Sequence, residues 1–406
     1  MLQLKYKLLD TFFKSLYSLI IVYVFPIEIS GFFGFFIVIV GLGSVIIGFE
    51  RYISFQIETV DISSKAIQQK LSDLFAFYLF NLIFAAPIFS IIVYFKIFQN
   101  PLMLLLCILI LFSEMLSNNI YNIGVVHVKY IIGMRVVIIK NLLLVLFSIQ
   151  LYFINLDNPL FYIFLFWSIL STSQIFIFIY YFLKFQNLYN IKSSISFSRI
   201  LDQYKISKFH FLLGLVALVW IQADRLLVSI WFDTKMMGIY YRHVAITSIF
   251  HQIFFMASFN RLIPQIYSSA KKNGYNILSK IIIKEYKIIL SIVLFIILSI
   301  LISYYTFLKE YFLDLYLQLN IILSLIFILT IRIYADFQSM ILNAYKLESE
   351  TFKYQALCLI IFILLMMFLV PIYKIKGVVF SLFVSTLVYT FIITKFNKSY
   401  NFKINS

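Results

Sequence analysis

The chain has 406 residues, of which 63% are hydrophobic and only 12% are charged, and its mean hydropathy is +0.99. Soluble domains are about half apolar and about a quarter charged, so this composition excludes a soluble globular protein. The formal net charge of +16 does not require a nucleic-acid partner, because membrane proteins gather basic residues on their cytoplasmic side.

The chain contains a series of apolar runs long enough to cross a bilayer, which takes roughly 20 residues in a helix. These runs predict an all-α membrane protein with about twelve transmembrane helices, at 11–27, 31–50, 72–96, 101–122, 132–155, 159–183, 207–232, 237–260, 285–306, 316–343, 354–373 and 377–396. Strands of a membrane β-barrel would alternate between polar and apolar residues, and runs such as Leu357 to Val370 do not alternate.

Basic residues are distributed unevenly between the alternate connections of these spans. With the N-terminus inside, the cytoplasmic segments hold most of them, including Lys14, Lys271, Lys272 and Lys280. The opposite side holds only Lys96, Lys235, Lys309, Lys374 and Lys376. Positively charged loops stay in the cytoplasm, so this bias predicts that both termini are cytoplasmic.

The polar connection near the middle of the chain suggests two halves. We expect an N-terminal six-helix bundle at 1–186, a cytoplasmic linker at 187–206 and a C-terminal six-helix bundle at 207–406. Transporters are commonly built from such duplicated halves. The second helix of each half begins with a glycine near an aromatic residue, Gly31 and Gly238, which indicates weak internal similarity.

Ionisable residues inside the predicted spans are candidate functional residues, because each costs about 3 kcal/mol or more at the bilayer centre. Glu114 and Lys140 lie at similar depth in one helical hairpin, so we expect them to pair. Arg332 and Asp336 are four residues apart and share a helix face. A second hairpin places four more such residues in the outer half of the membrane: Asp224, Arg225, Arg242 and His243.

The basic members of this set outnumber the acidic ones, so a cavity lined by them would attract an anion. Arginine favours phosphate because its planar guanidinium can bind two oxygens. We therefore predict an anion-binding cleft formed by Arg225, Arg242, Arg332 and Lys140. Ion coupling or charge pairing is predicted for Asp224, Glu114, Asp336 and His243. The alternative interpretation is that these residues are interhelical pairs that only hold the fold together.

Motifs for nucleotide binding, dinucleotide binding, zinc-dependent proteolysis and serine hydrolysis are missing from the sequence. We therefore predict no cofactor and no metal. Cys107 and Cys358 stand alone in apolar runs and are expected to be buried rather than paired. The connections expected outside the membrane are short turns, which favours a transporter over an enzyme.

Several stretches of this sequence resemble Wzx-like polysaccharide flippases of the multidrug/oligosaccharidyl-lipid/polysaccharide exporter superfamily. They are Gln222-Ala223-Asp224-Arg225, Met237-Gly238-Ile239-Tyr240-Tyr241, Arg261-Leu262-Ile263-Pro264 and, in the first half, Glu28-Ile29-Ser30-Gly31-Phe32-Phe33. The resemblance covers the whole chain in span number and organisation.

This resemblance implies translocation of a polyprenyl-pyrophosphate-linked oligosaccharide, an O-antigen or capsule repeat unit, across the bacterial inner membrane. The implied mechanism is alternating access between two six-helix bundles, with membrane lipids and other polysaccharide-assembly membrane proteins as partners. Two alternatives remain open. One is a drug or small-cation antiporter of the same superfamily. The other is an O-antigen polymerase or ligase, a membrane glycosyltransferase that should carry a sizeable outer loop with arginine.

Overall fold

The computed structural model describes residues 2–51, 55, 64–96, 101–126, 131–154, 158–186, 197–270, 275–345 and 347–400. The regular structure of these residues is helical throughout, with twelve long helices. The first six are α1 Leu2–Val24, α2 Ile27–Gly48, α3 Ser64–Lys96, α4 Pro101–Val126, α5 Ile131–Ile154 and α6 Pro159–Gln186. The second six are α7 Phe197–Trp231, α8 Thr234–Ala270, α9 Tyr275–Ser303, α10 Leu319–Ala344, α11 Glu348–Tyr373 and α12 Ile375–Ser399.

Each predicted span coincides with one of these helices, which confirms the prediction of an all-α membrane protein. Ten of the described helices contain a stretch long and apolar enough to cross a membrane. These stretches differ in the share of their residues that is buried inside the protein. That share is 61% in the stretch at Ile27–Gly48 and only 11% in the one at Ile277–Thr306. Since the exposed side chains of such helices are apolar, their outer faces are surfaces for lipid.

The chain divides into two compact units. The first contains Met1–Phe25 and Phe35–Leu218, and the second contains Pro26–Gly34 and Val219–Ser406. The chain therefore changes from one unit to the other three times: in the turn before α2, within α2 and within α7. The division into bundles at 1–186 and 207–406 stays a prediction.

Part of the predicted linker 187–206 is helical. Residues 187–196 lie outside the described residues, but α7 already begins at Phe197. Its polar side chains find partners within the first unit, where Gln203 accepts a hydrogen bond from Arg51 Nε (2.5 Å) and Tyr204 donates one to Asn81. Because these contacts satisfy buried polar groups, a segment that is hydrophilic in sequence becomes the first turns of a membrane helix.

The predicted inner connection 261–284 is also mostly helical, because α8 continues to Ala270 and α9 starts at Tyr275. Leu262 and Ile266 are fully buried and four residues apart, as are Leu278 and Ile282. This spacing places each pair on one helix face, so both helices extend beyond the apolar runs. Cys107 and Cys358 are buried and unpaired, as predicted.

Candidate functional site

Glu114 on α4 is the centre of a buried polar cluster in the first unit. Its Oε1 accepts hydrogen bonds from Lys140 Nζ on α5 and from Trp167 Nε1 on α6, the latter at 2.8 Å. Its Oε2 lies 3.7 Å from Nζ of Lys14 on α1. One carboxylate thus connects side chains from four helices.

Glu114 and Lys140 form the ion pair that their equal depth predicts. Their side chains are only 5% and 2% exposed. A buried ion pair is tolerated when further hydrogen bonds satisfy its members, and the indole of Trp167 supplies one to Glu114. These contacts favour a fold-holding role for Lys140 over the anion-binding role predicted from sequence.

Lys14 joins this cluster although sequence reasoning assigned it to the cytoplasmic side. Its side chain is 48% exposed, in contrast to the buried Lys140. Because α1 ends at Val24, Lys14 lies roughly 15 Å from that end at about 1.5 Å per residue. Glu114 lies roughly 20 Å from the start of α4 by the same measure. Counting from the α1–α2 turn, rather than from the N-terminus, would have placed Lys14 within the predicted span.

Two more hydrogen bonds connect helices of the first unit. Asn141 on α5 donates to Asp10 on α1 at 2.6 Å, and Gln174 on α6 donates to Ser117 on α4 at 2.5 Å. Asp10 brings the cluster to two carboxylates and two lysines, so its formal charges balance.

Asp224 and Arg225 on α7 lie in the second unit. Asp224 Oδ2 accepts a hydrogen bond of 2.5 Å from the hydroxyl of Tyr240 on α8. Asp224 Oδ1 and Arg225 Nε are buried without a hydrogen-bond partner among the described residues. Leaving a buried polar atom unsatisfied costs about 1–3 kcal/mol, and more for a charged group. Such atoms commonly mark a place for water, an ion or a ligand.

Arg332 on α10 is packed against aromatic side chains of the same unit. Its guanidinium lies 5.4 Å from the ring centroid of Trp220, and its Nε is 3.9 Å from Asp336 Oδ2. Trp220 contacts Tyr389 with ring centroids 5.9 Å apart, and Gln355 donates to the Tyr389 hydroxyl at 3.3 Å. The pairing of Arg332 with Asp336, four residues apart, follows the predicted face, whereas the contact with Trp220 does not follow from sequence spacing.

Arg242 and His243 on α8 bind the backbone that precedes α10. Arg242 Nη1 donates to the carbonyl of Leu315 at 3.2 Å. His243 Nε2 accepts from the backbone N–H of Gln318 at 2.8 Å, and Nδ1 lies 2.7 Å from the Ile239 carbonyl. Because the amide of Gln318 must donate, Nδ1 carries the ring hydrogen and the imidazole is neutral. The described hydrogen bonds of His243 are therefore with backbone groups. Its role in ion coupling or charge pairing stays a prediction.

The four predicted cleft cations are divided between the units. Lys140 belongs to the first, whereas Arg225, Arg242 and Arg332 belong to the second. In the part of the chain that the structure describes, His, Cys, Asp and Glu side chains form no group of three or more suited to a metal ion.

No family model and no curated protein matches the sequence. Solved structures do share its fold. The lipid II flippase MurJ, in an inward closed conformation, superimposes with a TM-score of 0.73 at 14% identity, over 98% of this chain and 87% of that one. A multidrug resistance MATE family transporter of the MOP superfamily, facing inward, gives 0.65 at 12% identity, over 96% and 94%. A MATE transporter from Vibrio cholerae gives 0.56 at 12% identity, over 98% and 94%. At these identities the likeness shows the fold alone.

Proposed function

We propose that this protein is a flippase of the MOP superfamily, similar to Wzx, and not an enzyme. It translocates a polyprenyl-pyrophosphate-linked oligosaccharide, such as an O-antigen or capsule repeat unit, across the bacterial inner membrane. It does so by alternating access between two six-helix bundles. The observation that carries the proposal is the likeness to a structure named as a lipid II flippase, which extends over 98% of this chain.

A flippase must shelter a charged pyrophosphate and a polar glycan from hydrocarbon while the lipid tail stays in the membrane. Cations at intramembrane depth can shelter the pyrophosphate, since phosphate binds guanidinium and ammonium groups strongly. The second unit has three such arginines against two aspartates, Asp224 and Asp336, so its intramembrane charge is positive. A site of this sign favours an anionic substrate.

We assign phosphate binding first to Arg225 and Arg332 in the second unit; in the first unit, the candidate cation is Lys14. Arg225 Nε has no hydrogen-bond partner among the described residues, and Lys14 is half exposed at 3.7 Å from Glu114. Both can therefore turn to an incoming anion at little cost. Arg242 and Lys140 have fixed partners and would contribute charge more than direct contacts. Asp224 offsets the cations of the second unit, and Glu114 offsets those of the first.

The orientation follows from the basic bias of the sequence. Both termini and the residues between α10 and α11 would lie in the cytoplasm, and the turn between α7 and α8 would lie outside. The α7–α8 turn is short and holds the exposed Asp233.

A drug or small-cation antiporter is the second candidate. The likeness to MATE transporters and the unsatisfied carboxylate oxygen of Asp224 favour it. Its substrate would be a cation, which an excess of arginine repels, so we rank it below the flippase.

An O-antigen polymerase or ligase is less compatible with the described connections. Such an enzyme should carry a sizeable outer loop. Of the proposed outer connections that the structure describes in full, α1–α2, α7–α8 and α11–α12 consist of one or two residues between helices. The fourth, α9–α10, spans 304–318, is helical at Tyr304–Leu308 and Lys309–Asp314, and contains no arginine.

Reconstitution tests the proposal directly. Purified protein would be placed in vesicles whose two leaflets contain a fluorescent polyprenyl-pyrophosphate oligosaccharide, and an impermeant quencher would report the label that reaches the outside. A flippase makes inner-leaflet label accessible, whereas protein-free vesicles and vesicles with Arg225→Ala keep it protected. Transport of a cationic dye without movement of the glycolipid would overturn the proposal in favour of the antiporter.

A further inference from the structure

Helix α2 is followed by two successive residues with left-handed backbone. Phe49 has a φ of 53° and Glu50 a φ of 51°, whereas Gly48 before them is still helical. A residue with a Cβ is strained in this region, which is why helix ends usually place glycine or asparagine there. Such conformations persist only where the surrounding structure holds them, and they cluster at active sites, ligand clamps and switch regions.

Three aromatic rings surround the side chain of Phe49. Its ring lies flat on that of Phe211 on α7, with ring centroids 3.7 Å apart and planes within 5°. Tyr204 on α7 and Phe77 on α3 make edge contacts with it, at centroid distances of 5.0 and 6.0 Å. Aromatic pairs contribute stability beyond that of the apolar area they bury. The rings of two helices therefore hold this strained residue in place.

Hydrogen bonds from the same two helices hold the chain on both sides of the strained pair. Before it, Asn81 Nδ2 on α3 donates to the Ile47 carbonyl at 2.8 Å, and the hydroxyl of Tyr204 on α7 donates to Asn81. After it, Arg51 Nε donates to Gln203 on α7 at 2.5 Å. The Ile47 carbonyl belongs to the last turn of α2, where carbonyls commonly need a partner from outside the helix.

A glycine on α7 makes room for the side chain of Glu50. A Cβ on Gly214 would lie 2.5 Å from Cγ and 3.0 Å from Cδ of Glu50, so this side chain lies directly on the backbone of α7. All of these residues belong to the first unit, but α7 continues into the second unit after Leu218. A helix that both units share therefore supplies most of the contacts that hold the strained pair.

We infer that Phe49 and Glu50 form a conformational latch, whose strained backbone is held in the state of this structure and relaxes when the first half of α7 moves away during alternating access. The inference rests on the proposed function and adds to it an element that regulates the exchange of states. The strain raises the free energy of the latched state and so offsets part of the aromatic and hydrogen-bond contacts. The latched and released states thereby stay close enough in free energy to interchange.

A matched pair of substitutions at position 50 isolates the strain. Glu50→Gly and Glu50→Ala both remove the contact with Gly214, but only glycine adopts a positive φ without strain. Glu50→Gly should therefore raise the ratio of latched to released protein about tenfold over Glu50→Ala, the ratio that about 1.4 kcal/mol produces. An effect of this sign requires that residue 50 has a positive φ in the latched state only.

Spin labels on Ile46→Cys and Leu212→Cys would measure that ratio as two populations of distance between α2 and α7. Both side chains are accessible, with 37% and 42% of their surface exposed, and neither is among the holding contacts. The full chain would be studied in nanodiscs of phosphatidylethanolamine and phosphatidylglycerol. Equal populations in the two position-50 variants would overturn the latch, even if Glu50→Gly melts at a higher temperature, because residue 50 would then be a static helix end. A single distance in both variants would overturn it as well.

Replacement of the stacked ring tests the latch from the side of α7. Phe211→Ala removes the ring that lies on Phe49 and should shift the populations towards the released state about tenfold. Phe211→Tyr keeps a ring of the same shape and should leave them unchanged. Unchanged populations in Phe211→Ala would count against the latch.

Failure of the latch and failure of the proposed function are distinguishable, because the distance measurement requires no substrate. Where both hold, glycolipid movement in vesicles should be slower with Glu50→Gly than with Glu50→Ala. Glycolipid movement by the wild type, together with equal populations in the two variants, would reject the latch and leave the flippase standing. Shifted populations without glycolipid movement by the wild type would support the latch and reject the flippase.

Discussion

Gly31 near the start of α2 and Gly238 near the start of α8 lie against each other, backbone to backbone. A Cβ on Gly31 would come within 3.1 Å of Gly238 N and would also meet the Thr234 carbonyl. A Cβ on Gly238 would overlap the carbonyl of Ile27. The two glycines whose similar positions indicate an internal repeat thus depend on each other, since neither helix start can approach so closely with a side chain between them.

We predict that Gly31→Ala and Gly238→Ala each reduce the free energy of unfolding by about 1–3 kcal/mol, because the added methyl group meets rigid backbone atoms. Thermal unfolding of the purified variants would measure the loss. Gly43→Ala is the control: there the new Cβ meets the side chain of Leu111, which can move, so its effect should be smaller. An unchanged melting temperature in both test variants would contradict the close contact.

Arg225→Ala and Arg242→Ala should both reduce glycan export, but for different reasons. Arg225 Nε has no hydrogen-bond partner among the described residues, so its loss should lower the melting temperature less than loss of Arg242 does, while lipid-linked glycan accumulates on the inner leaflet. Arg242 donates a hydrogen bond to the Leu315 carbonyl, so replacing it should lower the melting temperature as well. Normal surface glycan with Arg225→Ala would reject the cationic-cleft assignment.

Replacement of Lys14 and of Lys140 should affect the stability of the protein to different degrees. Lys140→Ala leaves the buried carboxylate of Glu114 without its main partner and should destabilise the protein by about 3–5 kcal/mol. The double variant with Lys140→Ala and Glu114→Gln should recover part of the lost stability, because the unpaired buried charge is then removed. Lys14→Ala should destabilise the protein less than Lys140→Ala, because Glu114 keeps its hydrogen bonds from Lys140 and Trp167, and it should reduce transport. Equal destabilisation by the two lysine variants would show that Lys14 is also a fold-holding residue.

His243→Ala should loosen the backbone before α10. It removes the acceptor of the Gln318 amide, which costs about 1–3 kcal/mol, and hydrogen exchange at that amide should accelerate. Gln318→Ala is the matched control, since it keeps the backbone donor and the imidazole. Equal protection of the residue-318 amide in wild type and His243→Ala would exclude the hydrogen bond.

Single cysteines test the orientation. Asp233→Cys should react with an impermeant thiol reagent from outside in intact cells, whereas Lys353→Cys should react only after the membrane is opened. The native Cys107 and Cys358 are buried and should give a low background. The reverse pattern of labelling would invert the proposed topology.

Much of the fold follows from the sequence because apolar composition selects lipid as the solvent, and a span in lipid must satisfy its backbone as a helix. The depth of a residue can be counted along such a helix, which is why the pairing of Glu114 with Lys140 in one hairpin could be predicted. Arg332 and Asp336 were predictable for the same local reason.

Counting along a helix does not reveal which helices are neighbours in the membrane plane, and most of the site depends on that. Lys14 of α1 meets Glu114 of α4, and Arg332 of α10 meets Trp220 of α7, through side chains that reach from one helix to another. His243 reaches Gln318 across 75 positions of sequence. The sequence by itself determined the solvent, the main helices and the local pairs Glu114–Lys140 and Arg332–Asp336. Only the tertiary structure decided the partners from other helices, such as Lys14 for Glu114 and Trp220 for Arg332, because lateral packing brings together residues that no local spacing connects.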